Sequence, residues 1–315
     1  MTATSVVAEA APAATASPSA FEHLVVRHRT VCLNGLEIFY REAGHPDAPG
    51  VLLLHGFPAS SHMFRHLIPA LAENFRVVAP DYPGFGYSSF PPRESFTYTF
   101  EALAEVIHQF TGRVGLTRYA LYIQDYGAPV GLRLALRRPA AVTAMITQNG
   151  NAYAEGLSAL WDPLKAYWND PSEKNRAVLQ GWLGPEGARL QYAAGVREDQ
   201  VERLAPDTWT LDWDKLSRSG NAEAQIDLFG DYKSNVDLYP EFQRFFREHR
   251  PPTLILWGMN DPFFTVDGAK AFLRDVPDAE LELVDASHFV LETHGSYAAH
   301  RIRHFLRRAL KAQRP

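Results

Sequence analysis

The chain has 315 residues and carries 36 acidic against 31 Lys and Arg side chains, a mildly acidic balance with no electrostatic pull towards nucleic acid or a membrane surface. Its single cysteine, Cys32, excludes an intrachain disulfide and any cysteine-based metal cluster. No apolar run is long enough to span a bilayer, and the length suits one large α/β domain with an insertion.

Residues 1–20 are nearly all Ala, Ser, Thr, Val and Pro, without the basic start and compact apolar centre of a secretory signal. They read as a disordered tail, and the expected location is cytoplasmic. Residues 25–32 and 36–42 are β-rich runs joined by Asn34-Gly35, a hairpin signal. The apolar run 51–54 reads as a strand buried on both faces, leading into His55-Gly56-Phe57-Pro58. A helix is expected over 61–73 and a strand over 76–79, followed by a glycine-rich loop over 81–89. That loop lacks the third glycine and the lysine of a phosphate cradle. Leu103, Val106, Ile107 and Phe110 have the spacing of an amphipathic helix. Residues 119–124 read as the next strand, and the helix after Asp125 runs to about residue 138, where Pro139 stops it. Residues 142–148 are another strand.

The alternation then breaks. Residues 150–249 are helical and aromatic-rich and read as an inserted cap, between core segments 21–149 and 250–315. The rhythm resumes with a strand over 253–257, a helix over 266–274, a strand over 280–284 and a helix over 297–311. Strands alternating with helices predict a mainly parallel sheet covered by helices on both faces, with sites at the carboxyl ends of strands.

Three residues at expected strand exits form a set. Asp125 stands where a strand–turn–helix elbow presents its nucleophile, the position of Ser in serine hydrolases. A carboxylate of ordinary pKa, about 4, is already an anion at neutral pH. It attacks an alkyl carbon without a base and becomes an ester of its own side chain. A base is then needed only to activate the water that breaks the ester. His288 is the candidate base, and Asp261 the acid that orients it. Asn149, at the end of the preceding strand, is an amide and cannot supply that charge. The backbone N–H groups of Phe57 and Tyr126 are expected to form the oxyanion hole. The plainer readings are an N-cap or loop acid for Asp125, a turn acid for Asp261 and a surface or structural histidine for His288.

Together these residues resemble the aspartate-nucleophile branch of the α/β hydrolases, over roughly residues 25–310. The branch contains epoxide hydrolases, haloalkane dehalogenases and fluoroacetate dehalogenases. His55-Gly56-Phe57-Pro58 resembles its His-Gly-x-Pro motif, and Gln124-Asp125-Tyr126-Gly127 its nucleophile elbow. The resemblance implies an α/β-hydrolase fold with a helical cap, and a small apolar substrate plus water as partners. It implies no cofactor and no metal. Tyr126 and Phe57 replace the usual halide donors, and Tyr126 and Pro129 the arginines that would bind a carboxylate. Tyr232, in Asp231-Tyr232-Lys233-Ser234-Asn235, resembles the cap tyrosine that protonates an opening epoxide, although fluoroacetate dehalogenases carry a similar tyrosine. Tyr153 and Tyr167 are candidates for a first such tyrosine, with Leu164 at its aligned place. His55, Pro58, Tyr153, Tyr167 and Trp168 are the expected substrate-binding residues. The expected activity is epoxide hydrolysis. The alternatives are dehalogenation and a ligand-binding protein without turnover.

Overall fold

The structure, a computed structural model, describes residues 22–311. The tail expected over residues 1–20 lies outside the described residues. Eight strands form one sheet in the order β1-β2-β4-β3-β5-β6-β7-β8. β1 (Arg27–Leu33) and β2 (Leu36–Ala43) are the antiparallel hairpin expected from Asn34-Gly35, and both turn residues have positive φ. β2 pairs antiparallel with β4 (Arg76–Pro80). β3 (Gly50–Leu54), β5 (Tyr119–Gln124), β6 (Val142–Gln148), β7 (Thr253–Gly258) and β8 (Glu280–Val284) continue the sheet in parallel.

β5 lies at the centre, and all six of its residues are buried. It reads Tyr-Ala-Leu-Tyr-Ile-Gln because both faces are covered, so no polar alternation is needed. α1 (Leu67–Ala72) and α11 (Val290–Lys311) cover one face through Leu67, Ile68, Ile302 and Phe305. α2 (Phe100–Arg113), α3 (Gly127–Arg137) and α10 (Val266–Asp275) cover the other through Leu103, Phe110, Leu132 and Phe272.

Two boundaries differ from expectation. The helix expected over 61–73 is a 3-10 turn (Ser61–Phe64) and then α1. Pro69 has no N–H to donate, so it belongs in the first turn of a helix, and α1 begins at Leu67. α11 starts earlier than residue 297 and is kinked at His294, where φ is −129° and ψ 29°.

Between β6 and β7 come α4 (Asp162–Asn169), α5 (Glu173–Gln180), α6 (Pro185–Ala193), α7 (Pro206–Leu216), α8 (Asn221–Asp237) and α9 (Tyr239–His249). α4 and α5 pack on each other and on α8, which also packs on α2, and α6 packs on α7. α9 instead packs on α3 and α10, burying Phe242, Phe245 and Phe246 beside the sheet. Among the described residues no helix is long and apolar enough to cross a membrane.

Candidate active site

The carboxyl edge of the parallel strands gathers the expected residues. Phe57 follows β3, Asp125 follows β5, Asn149 follows β6, Asp261 follows β7 and His288 follows β8. Asp125 is forced into the left-handed region, with φ of +47°, because β5 must turn at once into α3. Two glycines make room for this turn. A Cβ on Gly127 would lie 2.2 Å from the Leu54 carbonyl oxygen, and one on Gly56 would lie 2.2 Å from Asp125 Cβ.

The two oxygens of Asp125 have different surroundings. Oδ1 accepts the Phe57 N–H at 2.7 Å. Oδ2 lies 3.9 Å from His288 Nε2. The Tyr126 N–H also bonds the carboxylate, so both expected oxyanion donors meet it. The amino end of α3 adds a positive dipole. Burial nevertheless raises the Asp125 carboxyl above its ordinary value, opposed by His288 and the two N–H groups.

His288 is buried and held from the far side: its Nδ1 lies 2.8 Å from Asp261 Oδ2. Burial lowers an imidazole's affinity for its proton, but the carboxylates of Asp261 and Asp125 outweigh it and hold His288 above the usual histidine range. Asp261 is itself fixed by three donors. Oδ1 accepts the Phe263 N–H at 2.7 Å, and Oδ2 accepts the Asn149 amide at 2.7 Å as well as the imidazole. Asn149 therefore positions the acid, and its own Oδ1 accepts the Gly258 N–H at 2.9 Å.

Two residues with no earlier assignment also reach His288. The Gln148 amide donates to its carbonyl oxygen at 2.7 Å. Gln124 Nε2 lies 2.8 Å from its ring Nε2. The signal in the sequence was only that a polar residue ends each of two buried strands.

A cavity of about 350 Å³ opens beside Asp125. Its core wall includes Phe57, Tyr126 and Phe263. The inserted helices contribute Trp161, Leu164, Trp182, Leu190 and Phe229, with Glu186 and Gln191 as polar lining. Leu164 and the two tryptophans are thus part of the wall, although no pattern in the sequence orients them.

Several expected substrate-binding residues lie elsewhere. The Tyr153 hydroxyl donates to Asp275 Oδ2 at 2.7 Å and its ring packs on Phe246 and Phe272, so it anchors α9 and α10 rather than lining the cavity. Tyr167 lines an outer groove with Arg93 and Gly230, because α4 turns that face away from Asp125. Trp168 spends its indole N–H on the Phe229 carbonyl at 2.8 Å and stacks on Tyr232. His55 is buried beneath the loop, with Nε2 accepting the Tyr82 N–H at 3.3 Å, and burial pushes its pKa down to about 4. It and Pro58, which follows a cis peptide bond, shape the loop that carries the Phe57 N–H; neither lines the cavity.

Tyr232 sits directly behind the wall, its ring 4.5 Å from Trp161 and 6.1 Å from Tyr126. Its hydroxyl is buried and interacts with the Tyr239 hydroxyl, which helps raise its pKa. The Tyr126 hydroxyl is also buried, and it has no hydrogen-bond partner. Burial keeps both phenols protonated far above neutral pH. Among the described residues no three His, Cys, Asp or Glu side chains converge to hold a metal ion.

This arrangement has known relatives. Residues 49–295 match the alpha/beta hydrolase fold family. The chain belongs to the α/β-hydrolase superfamily. Within it, the chain falls in the aspartate-nucleophile branch of haloalkane dehalogenases and epoxide hydrolases. It is 43% identical over 272 residues to an uncharacterized hydrolase of Saccharomyces cerevisiae, covering 85% of this chain and 92% of that protein. It is 31% identical over 268 residues to haloalkane dehalogenase 2 of Mycobacterium tuberculosis, covering 81% and 86%. Similar solved structures include a potato epoxide hydrolase variant (TM-score 0.72, 21% identity, 90% and 100% coverage). A haloalkane dehalogenase from Bradyrhizobium elkani is also similar (TM-score 0.72, 18% identity, 92% and 100% coverage). At these identities the structural likeness is one of fold.

Proposed function

We propose that this α/β hydrolase converts an apolar epoxide to a diol through an ester on Asp125, beneath a cap formed by the inserted helices. Asp125 Oδ2, the oxygen not occupied by the Phe57 N–H, attacks an epoxide carbon and the ring C–O bond breaks. The alkoxide takes a hydrogen bond or proton from Tyr232. Water then loses a proton to His288 Nε2 and adds to Asp125 Cγ. The oxyanion forms on Oδ1, already beside its donors. Collapse breaks the bond between Cγ and the alkyl oxygen, which leaves as the diol with the proton from His288, and the proton left on the new Asp125 carboxyl returns to the Tyr232 phenolate. Ester formation has a useful electrostatic consequence. It removes the Asp125 charge, one of the two that raise the His288 pKa, so a larger share of the imidazole is neutral when the base is needed.

The observation that carries the epoxide reading is the pair of buried phenols, Tyr126 and Tyr232, near an apolar cavity beside Asp125. A departing alkoxide needs a proton donor; a halide does not. The indoles of Trp161 and Trp168 are already spent on the Phe263 and Phe229 carbonyls. The reading requires the Trp161–Tyr232 contact to part when an epoxide fills the cavity. Dehalogenation is the second reading. Trp182 lines the cavity with an indole N–H that no described residue accepts, and relatives above 30% identity are named haloalkane dehalogenases.

The test pairs styrene oxide with 1-bromobutane as probes. Diol from the first without bromide from the second is the expected result, with Tyr232→Phe slowing ring opening by about a hundredfold or more. Bromide release without diol would overturn the epoxide reading in favour of the second. Neither product from these or a wider panel of epoxides and haloalkanes would contradict both.

A further inference from the structure

We infer that Gln124 is a positioning residue for the base: its side-chain amide occupies the lone pair of His288 that must take a proton from water, and turns over when that proton arrives. The inference rests on His288 being the base of the proposed reaction.

Gln124 ends β5, immediately before the nucleophile, and is fully buried. His288 Nδ1 faces the Asp261 carboxylate at 2.8 Å, so the neutral ring keeps its proton there and Nε2 is the acceptor. Gln124 Nε2, at 2.8 Å, is then a donor to it. An imidazole nitrogen has one in-plane lone pair. A water that is to be deprotonated needs the same lone pair, so the amide must yield it. Once Nε2 carries the proton, an N–H donor opposite it is repulsive. Gln124 Oε1 has no partner in the resting arrangement and becomes the acceptor after a half-turn of the amide. Gly56 keeps that side open, since a Cβ there would lie 2.6 Å from Oε1.

The charged groups facing His288 are Asp125 from the β5–α3 turn and Asp261 from the β7 exit. The rings of Phe263, Phe264 and Phe289 fill the remaining sides. Gln124 is therefore the neutral dipole whose orientation follows the charge of the ring. In the step it serves, a water O–H bond breaks, its proton goes to Nε2 and its oxygen bonds to Asp125 Cγ. The displaced carbonyl electrons rest on the oxygen held by Phe57 and Tyr126.

The test uses the full chain with ¹⁵N-labelled histidine, as wild type, Gln124→Glu and Gln124→Met. Glu puts a carboxylate against Nε2, so the His288 titration moves to higher pH. Met removes the donor that favours the neutral ring, so it also moves up, but less. In single turnovers of styrene oxide, Asp125 alkylation stays within about threefold of wild type. Ester hydrolysis slows at least about tenfold in Gln124→Glu and recovers at higher pH. Should Gln124→Glu fail to fold, the shape-matched Met variant carries the test. An unmoved His288 titration in a folded variant overturns the proposal. So does a moved titration with unchanged ester hydrolysis. No ester in any protein, wild type included, with the titration moved as stated, would fail the reaction and not the amide–imidazole contact.

Discussion

Asp261→Asn separates the two half-reactions. The Asp261 carboxylate lies 2.8 Å from His288 Nδ1, with both side chains almost wholly buried. At an effective dielectric constant of about 20, two unit charges at that distance attract by about 6 kcal/mol. That attraction exists only once His288 is protonated, that is, in the transition state for ester hydrolysis. At 1.36 kcal/mol per factor of ten, the ceiling on the loss is about four orders of magnitude, and about 10²–10⁴-fold is expected. The amide also fits badly. Three donors converge on the carboxylate, so either orientation of Asn sets an NH₂ against an N–H. Alkylation by Asp125 draws on no proton from His288 and should stay within about threefold. Rapid-quench mass spectrometry with styrene oxide reads both steps, and ester should accumulate on Asp125. Equal slowing of both steps, or hydrolysis at the wild-type rate, would refute this reasoning.

Three further outcomes follow from the same geometry. Gly56→Ala should lose about a hundredfold or more in alkylation and about 1–3 kcal/mol in stability, because its Cβ would meet Asp125 Cβ at 2.2 Å; denaturant unfolding and burst amplitude check both. Ester hydrolysis should rise with pH at a lower pH than that at which His288 titrates in the free enzyme, since the ester has removed the Asp125 charge. Coincident curves would contradict that. Asp212, on α7 at the seam with the core, receives the Tyr192 hydroxyl at 2.5 Å, and burial raises its carboxyl well above the ordinary 3.8. A raised acid loses stability as pH climbs from its unfolded value to its folded one, so Asp212→Asn should gain Tm over wild type as pH rises from about 4 to 8. A constant difference across that range would contradict it.

The core of the site was legible because its signals are local. A buried strand, an acid and a glycine must make the elbow, and His-Gly-x-Pro must turn away from β3; each positions its own backbone. The inserted helices carry no such constraint. Tyr153, Tyr167, Trp168 and Tyr232 are all aromatic and all near helices, and which faces Asp125 depends on how α4 and α8 pack. α9 read as cap because it is as aromatic as its neighbours, yet its Phe242 and Phe246 face the sheet layer. Gln124 is legible as part of the elbow, but its contact with His288 is not, because the two are 164 residues apart.

The most direct measurement is the intact mass of His288→Gln after incubation with epoxides and haloalkanes. Without its base the protein should form the ester and keep it. The expected result is an adduct of the whole epoxide, mapped by peptide sequencing to Asp125. An alkyl adduct lacking its halogen, with none from epoxides, would assign the nucleophile but reverse the substrate. An adduct on another residue, or undiminished turnover, would contradict the account.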